Sequence, residues 1–157
     1  MAHQLIGIIG AGPAGLSALK AVMDTPQYRA GLWVPTVFEA RENIGGVWLP
    51  SPPQPTPQSL PPPPPPTPLY DSLTTNLPHP VMAFTAFPFP PSTPLFPKAH
   101  VVQTYLEAYA AHFELHQHIR LNTRVTKADW DIDQGKWVVL TIPSSSSSSS
   151  SAGQSTP

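Results

Sequence analysis

The sequence predicts an α/β fold in which a parallel sheet is followed by an antiparallel β-hairpin. A continuous apolar run, Leu5–Ile9, precedes a glycine-rich turn and a segment with helical spacing. A second run of β-branched and aromatic residues, Thr36–Glu39, follows that segment. The order strand, helix, strand is typical of parallel pairing through a helical crossover. A later segment, Val125–Ile142, has two strand-like halves around a glycine turn and predicts the hairpin.

The first strand is expected over Leu5–Ile9, because an unbroken apolar run is typical of a strand buried on both faces of a parallel sheet. The first helix is expected over Pro13–Met23, since a proline is tolerated in the first helical turn, where its missing N–H has no partner to lose. Its apolar positions at helical spacing are Leu16, Leu19 and Met23. The segment Asp24-Thr25-Pro26 predicts the end of this helix.

Further parallel strands are expected near Thr36–Glu39 and Ile119–Leu121, with a helix over about His100–His116 between them. The hairpin would turn at Asp133-Gln134-Gly135 and place Trp130 opposite Trp137 as cross-strand partners.

Composition limits which parts of the 157 residues can fold. Half of the 24 prolines lie between Pro50 and Pro68, and eight consecutive serines begin at Ser144. Neither segment can bury enough apolar surface to offset the entropy of ordering it. We therefore expect one domain over residues 1–142, with residues 50–68 as a disordered proline-rich insert and residues 143–157 as a disordered serine-rich tail.

Charge and cysteine content exclude several classes of function. The net charge is −1, with no basic stripe for nucleic acid, and the absence of cysteine excludes disulfides and thiolate metal sites. The apolar N-terminal run has no preceding Lys or Arg and is interrupted by glycines, unlike a signal peptide or a membrane span. A cytoplasmic location is expected, and membrane association of a longer form stays open.

The glycines at the first turn have separate geometric roles in a Rossmann-type dinucleotide fingerprint. Gly10 would allow the tight turn, Gly12 the approach of a pyrophosphate, and Gly15 close packing of helix and strand. Glu39 follows Gly15 by 24 residues, near the spacing at which a carboxylate binds the adenosine ribose hydroxyls. Such a carboxylate would repel a ribose 2′-phosphate, which favours FAD or NAD over NADP without choosing between the two.

Five further segments carry recognisable motifs: Ala40–Trp48 (ARENIGGVW), Tyr70–Pro78 (YDSLTTNLP), Met82–Pro90 (MAFTAFPFP), Val101–Phe113 (VVQTYLEAYAAHF) and Ile119–Val125 (IRLNTRV). Taken with the glycine fingerprint, they resemble the flavin-containing monooxygenases, the class B monooxygenases that use FAD and NADPH. The likeness covers nearly all of residues 1–142 outside the insert. It departs from the family at Ala40, where a basic residue is frequent, and at Ala86, where an acid is frequent.

The resemblance implies that residues 1–142 are an incomplete FAD-binding domain of three-layer Rossmann type. It implies the N-terminal part of an enzyme that oxygenates a soft nitrogen or sulfur nucleophile of a small molecule through a flavin hydroperoxide, with NADPH as reductant. Asn76 would take the catalytic role, near the flavin and the nicotinamide. The positions implied to bind the cofactor are Gly10, Ala11, Gly12, Pro13, Ala14, Gly15, Glu39, Arg41, Gly46, Val47, Trp48, Thr75, Asn76 and Val125.

The family has a second glycine fingerprint for NADPH and a closing parallel strand, and neither is found in these residues. We therefore expect the isolated chain to bind FAD weakly and not to oxidise NADPH. Two alternatives to the enzyme stay open: a catalytically inactive fragment that binds FAD or NAD, and a proline-rich interaction protein.

Two further motifs are interpreted as structural. His112, His116 and His118 could suggest a metal site, but the spacing differs from HExxH and an exposed helix face is favoured, with no metal expected. The hexamer Pro61–Pro66 could bind a proline-recognition module, although a spacer is the favoured interpretation.

Overall fold

The computed structural model describes residues 3–51 and 67–144. The hexamer Pro61–Pro66 and the serines that follow Ser144 lie outside the described residues. The helices and strands are β1 (Gln4–Ile9), α1 (Pro13–Met23), α2 (Pro26–Arg29), β2 (Trp33–Phe38), α3 (His79–Met82), α4 (Ala99–His112), β3 (Ile119–Arg120), β4 (Thr123–Asp131) and β5 (Lys136–Pro143). Short 3₁₀ turns occupy Gly46–Trp48 and Leu115–His118.

Strands β1, β2 and β3 form a parallel sheet in the order β1-β2-β3. The register pairs Gln4 with Trp33 and Ile9 with Phe38, which confirms the predicted parallel pairing of the first two strands. Strand β2 contains Pro35, and β3 pairs only with Val37 and Phe38. The proline is tolerated because the β3 side of β2 is an open edge at that point.

Side chains of α1, α4 and β2 belong to one buried core cluster. The fully buried side chains of greatest volume are Leu16, Leu19, Ile44, Leu106, Leu115, Val37 and Pro97. The start and the spacing of α1 agree with the sequence prediction, because Pro13 occupies its first position and Leu16 and Leu19 face the core.

Strand β1 is more exposed than its apolar sequence predicted. Leu5 is 79% and Ile9 is 63% exposed, so burial on both faces is wrong for the described part of the chain. The strand lies at the edge of the sheet, and no described element covers the face that it shares with Val34. An apolar run predicts the environment that a strand prefers, but its neighbours must be present to supply that environment.

Helix α4 ends at His112, four residues before the predicted boundary. Glu114 adopts a left-handed conformation with φ of 55°, which stops the helix, and the 3₁₀ turn Leu115–His118 then leads into β3. Across residues 3–51 and 67–144, no helix is long and apolar enough to cross a bilayer.

The predicted antiparallel hairpin is confirmed by the pairing of β4 with β5. Trp130 lies opposite Trp137, with ring centroids 5.7 Å apart in an edge-to-face arrangement. Gly135 has a positive φ of 60° in the turn, and Oδ1 of Asp131 accepts hydrogen bonds from the backbone N–H groups of Asp133 and Gln134. Because β1, β2 and β3 are parallel, their carboxyl ends lie side by side, and the candidate site lies at these ends.

Candidate functional site

The glycine turn after β1 is sterically tight. Gly10 has φ of 91°, a conformation that residues with a Cβ rarely adopt, and its N–H donates a 2.8 Å hydrogen bond to the carbonyl of Phe38. A Cβ on Gly15 would collide with the carbonyl oxygen of Gly10. Helix α1 can therefore begin directly against the end of the strand only because both positions are glycine.

The N-terminus of α1 is open to an anion. Gly12 is the N-cap and supplies no side-chain hydrogen bond, and the first turn contains no acidic residue. The first N–H groups of a helix have no intrahelical acceptor, and the helix dipole places positive potential at this end. The backbone that follows Pro13 is therefore suited to a phosphate group.

Glu39 follows β2 and connects it to the glycine turn. Its carboxylate is buried, with 6% of the residue exposed. Oε2 accepts a 2.6 Å hydrogen bond from the backbone N–H of Ala11, and Oε1 accepts a 2.9 Å bond from that of Arg41. A carboxylate has about four acceptor positions, so Glu39 retains the capacity to accept hydrogen bonds from a ligand diol.

Arg41 holds the segment that begins with the glycine pair Gly45 and Gly46. Nη1 donates to the carbonyl of Leu49 at 2.8 Å and to that of Gly46 at 3.3 Å, and Nη2 donates to the carbonyl of Pro50 at 2.5 Å. The carbonyl of Arg41 accepts a 2.9 Å hydrogen bond from the N–H of Asn122, which follows β3. The buried Nε has no partner among the described residues, and none of their carboxylates forms an ion pair with this guanidinium.

The two glycine segments are in direct backbone contact. A Cβ on Gly46 would lie only 2.8 Å from the Cα of Gly12. Gly45 and Gly46 have φ of 122° and 57°, and the N–H of Gly45 donates a 2.9 Å hydrogen bond to the carbonyl of Ala11. Both segments therefore form one continuous backbone surface, without side chains at the point of contact.

The ends of the proline-rich segment meet beside this surface. Ser51 and Thr67 flank residues 52–66, and Oγ of Ser51 accepts a 2.7 Å hydrogen bond from the N–H of Thr67. Oγ1 of Thr67 donates to the carbonyl of Leu49 at 3.2 Å, which is also an acceptor for Arg41. Ser51 and Thr67 are thus bonded to each other, and Thr67 shares the carbonyl of Leu49 with Arg41.

Three further residues that the sequence predicts to bind the cofactor lie in two elements beside the glycine segments. Val47 is exposed and Trp48 is half-buried, both within the 3₁₀ turn that Arg41 holds. Val125 lies in β4, and the N–H of Thr123 at the start of that strand donates a 2.8 Å hydrogen bond to the carbonyl of Glu39. The start of β4 is therefore adjacent to the acid.

The Thr-Asn pair is held separately. Thr75 is buried, with its N–H donating to the carbonyl of Pro97 at 2.9 Å and its Oγ1 to that of Leu77 at 2.8 Å. Asn76 is exposed. No hydrogen bond within the described ranges joins either residue to the glycine segments.

The histidines near the end of α4 lie apart from the candidate site. His112 and His116 are exposed, and the described stretches of chain contain no group of three potential metal ligands. Nε2 of His118 instead lies 2.8 Å from the hydroxyl oxygen of Tyr28. Burial lowers the pKa of His118, and this effect exceeds the opposing one of a hydrogen bond with the carbonyl of Pro35.

Gln103 of α4 also contacts the site, and the sequence analysis did not identify it. It is 8% exposed, and its Nε2 donates a 2.8 Å hydrogen bond to the carbonyl of Ile44. Its position, three residues before Leu106 and seven before Ala110, places it on the apolar face of the helix. A polar residue within an apolar stripe was therefore the available signal.

Comparison with known proteins assigns the family. The model of the flavin-binding monooxygenase-like family matches residues 3–151, and the chain belongs to that family. It is 32% identical over 139 residues to the N-oxide-forming dimethylaniline monooxygenase 4 of Homo sapiens, a match that covers 87% of this chain. It is 37% identical over 148 residues to the flavin-containing monooxygenase FMO GS-OX-like 2 of Arabidopsis thaliana, with 85% of this chain covered.

Solved structures agree with this assignment. The S-allyl-L-cysteine S-oxygenase of Allium sativum superposes with a TM-score of 0.68 at 34% identity, covering 86% of this chain and 31% of its own. Tmm from Pelagibacter sp. strain HTCC7211 superposes with a TM-score of 0.69 at 27% identity, covering 88% of this chain and 34% of its own. The chain spans 22% of the human relative and 30% of the Arabidopsis relative. The α/β fold with a parallel sheet and a hairpin is thereby confirmed.

Proposed function

We propose that this chain binds FAD and forms the FAD-binding part of a flavin-dependent monooxygenase. The observation that carries the proposal is the convergence of three features at one edge of the sheet. These are the open N-terminus of α1, the contact between the backbones of Gly12 and Gly46, and the buried carboxylate of Glu39. Membership of the flavin-binding monooxygenase-like family supports the choice of FAD among dinucleotides.

The site fits a pyrophosphate. Side chains on Gly12 or Gly46 would fill the space where the two segments meet, so the glycines leave backbone N–H groups accessible there. The positive end of α1 and the guanidinium of Arg41, which has no carboxylate partner among the described residues, both favour a negatively charged group. These residues would hold the phosphates.

Glu39 would bind the adenosine ribose. Its bonds to Ala11 and Arg41 fix the carboxylate in a buried position, and its remaining acceptor positions suit two ribose hydroxyls. A phosphate on the 2′ oxygen would be repelled by the same carboxylate. The site is therefore specific for FAD or NAD over NADP, and family membership favours FAD.

FAD, when bound, supplies the redox and oxygen-transfer chemistry, for which NADPH is the reductant in this family. The chain's own residues bind and orient it: Trp48 would line the path from the pyrophosphate towards the flavin ring, and Asn76 would lie beside that ring. A soft nitrogen or sulfur atom of a small molecule is the proposed site of oxygenation. The names of the relatives, an N-oxide-forming enzyme and an S-oxygenase, support this substrate class.

The proposal is tested by equilibrium dialysis of the purified chain against FAD or against FMN, because dialysis also detects the weak binding that we expect of this chain. FMN is the matched ligand, because it carries the flavin but lacks the adenosine that the described residues would bind. We expect flavin to be retained in excess on the protein side with FAD and not with FMN. Equal retention of both flavins, or of neither, would contradict the proposal.

A further inference from the structure

The Gly45–Gly46 segment is held from α4 as well as by Arg41. Nε2 of Gln103 donates to the carbonyl of Ile44 at 2.8 Å and to Oε1 of Glu107 at 3.0 Å. Because both hydrogens of the amide nitrogen are used, the orientation of the carboxamide is fixed. Its oxygen must then face Gly45, and a Cβ on that glycine would collide with it.

Glu107 extends this contact to the start of the segment. Its Oε1 also accepts a 3.2 Å hydrogen bond from Nδ2 of Asn43, whose Oδ1 accepts a 2.8 Å bond from the N–H of Ile44. The N–H of Gly45 in turn donates to the carbonyl of Ala11. A continuous series of hydrogen bonds and contacts therefore connects Gln103 with the glycine turn.

The carboxamide is not needed to fill the space. Oε1 of Gln103 is buried and has no hydrogen-bond partner among the described residues. An unpaired buried acceptor opposes stability, and an apolar side chain of the same length would remove it. Because the same change leaves the carbonyl of Ile44 without its donor, the two effects on stability oppose each other. The specific contribution of Gln103 is therefore to the position of the Ile44–Gly46 backbone.

We propose that Gln103 is a positioning residue for the FAD site, an inference that rests on the proposed function. It acts through the backbone of Ile44 and Gly45 and keeps Gly46 against Gly12. Without its two donated hydrogen bonds the segment would sample positions in which the pyrophosphate contacts are incomplete. Affinity for FAD would then fall although the core remains packed.

The test compares Gln103→Met with Thr104→Met in the full chain. Methionine keeps the length of glutamine but donates no hydrogen bond, and Thr104 is an exposed neighbour on the same helix. Three quantities are measured: the urea midpoint without FAD, amide hydrogen exchange at Gly45, and FAD affinity by quenching of flavin fluorescence. Visible circular dichroism of the bound flavin reports its geometry.

For Gln103→Met we expect the parent's urea midpoint, faster exchange at Gly45, about tenfold weaker FAD binding and an altered dichroism spectrum. Thr104→Met should match the parent in all four. Glu107→Ala, which changes a half-buried residue, should shift exchange and affinity in the same direction as Gln103→Met. It provides a second variant if Gln103→Met folds poorly.

The outcomes separate the two proposals. A parent chain that binds no FAD overturns the proposed function and this inference with it. A parent that binds FAD, with Gln103→Met and Glu107→Ala keeping its affinity and its exchange rate at Gly45, overturns this inference alone. The inference is also overturned if both variants lose FAD affinity in proportion to a fall in their urea unfolding midpoints. Gln103 would then contribute to the stability of the whole chain and not to the position of the Ile44–Gly46 backbone.

Discussion

The backbone N–H of Ala11 lies 2.6 Å from Oε2 of Glu39, so that the turn after β1 is bonded directly to the acid after β2. Sequence spacing predicts Glu39 as a ligand for a ribose, and the structure shows that it also fixes the glycine turn. One carboxylate thus orders the backbone that would bind phosphate and retains acceptors for the neighbouring sugar.

Glu39→Gln should weaken FAD binding by at least about tenfold, because hydrogen bonds to a charged group contribute about 1.5–3 kcal/mol. The amide places an NH₂ group opposite one of the two N–H donors, so that only one of the bonds to Ala11 and Arg41 can persist. FAD titration by fluorescence quenching measures the change. Glu42→Gln, which neutralises an exposed carboxylate three positions away, is the control. Equal affinities for both variants would contradict the assigned role.

Gly46→Ala should destabilise the chain and weaken FAD binding, whereas Gly135→Ala should only destabilise it. The two glycines have φ of 57° and 60°, but only Gly46 has a close neighbour, Gly12. Left-handed strain alone costs about 1–2 kcal/mol, and Gly46→Ala adds the collision. Urea unfolding and FAD titration separate the two effects. Similar unfolding midpoints and similar FAD affinities for both variants would exclude the backbone contact as a determinant of the site.

Replacing Arg41 separates its charge from its hydrogen bonds. Arg41→Lys keeps the charge, but an ammonium group cannot hold the carbonyls of Gly46, Leu49 and Pro50 together. We expect faster amide exchange at Trp48 and Leu49 in both Arg41→Lys and Arg41→Met, with weaker FAD binding in the methionine variant.

Arg29→Met removes an exposed guanidinium from α2 and is the control for the Arg41 variants. Parent-like protection of the Trp48 and Leu49 amides in Arg41→Lys would show that the carbonyl contacts do not order this turn.

Acidification should destabilise the chain through His118. Burial lowers the pKa of His118 below its ordinary value of about 6.5, so the unfolded chain binds the proton first as the pH falls. The contribution of His118 is complete above about pH 6.5 and is lost progressively as the pH drops towards the folded-state pKa. His118→Gln should flatten the dependence of the urea midpoint on pH in this range, and His116→Gln, at an exposed position, should not. An unchanged slope for His118→Gln would contradict the assignment.

The sequence predicts elements whose determinants are local. Helix α1 begins at Pro13 and ends at Met23 as expected, because a proline and an apolar period define it. The exposure of Leu5 depends on neighbouring strands, and the end of α4 on the left-handed conformation of Glu114, which no local pattern indicated. Gln103 was missed because its acceptor, Ile44, lies 59 residues away along the chain.

Competition at the FAD site tests the central claim most directly. Bound FAD is titrated with ADP and with adenosine 2′,5′-bisphosphate, which differ in the position of one phosphate. If Glu39 binds the ribose beside the glycine turn, ADP displaces FAD at a concentration at least about tenfold lower than the 2′-phosphorylated compound does. Equal displacement by both compounds, or the absence of FAD binding, would contradict the account.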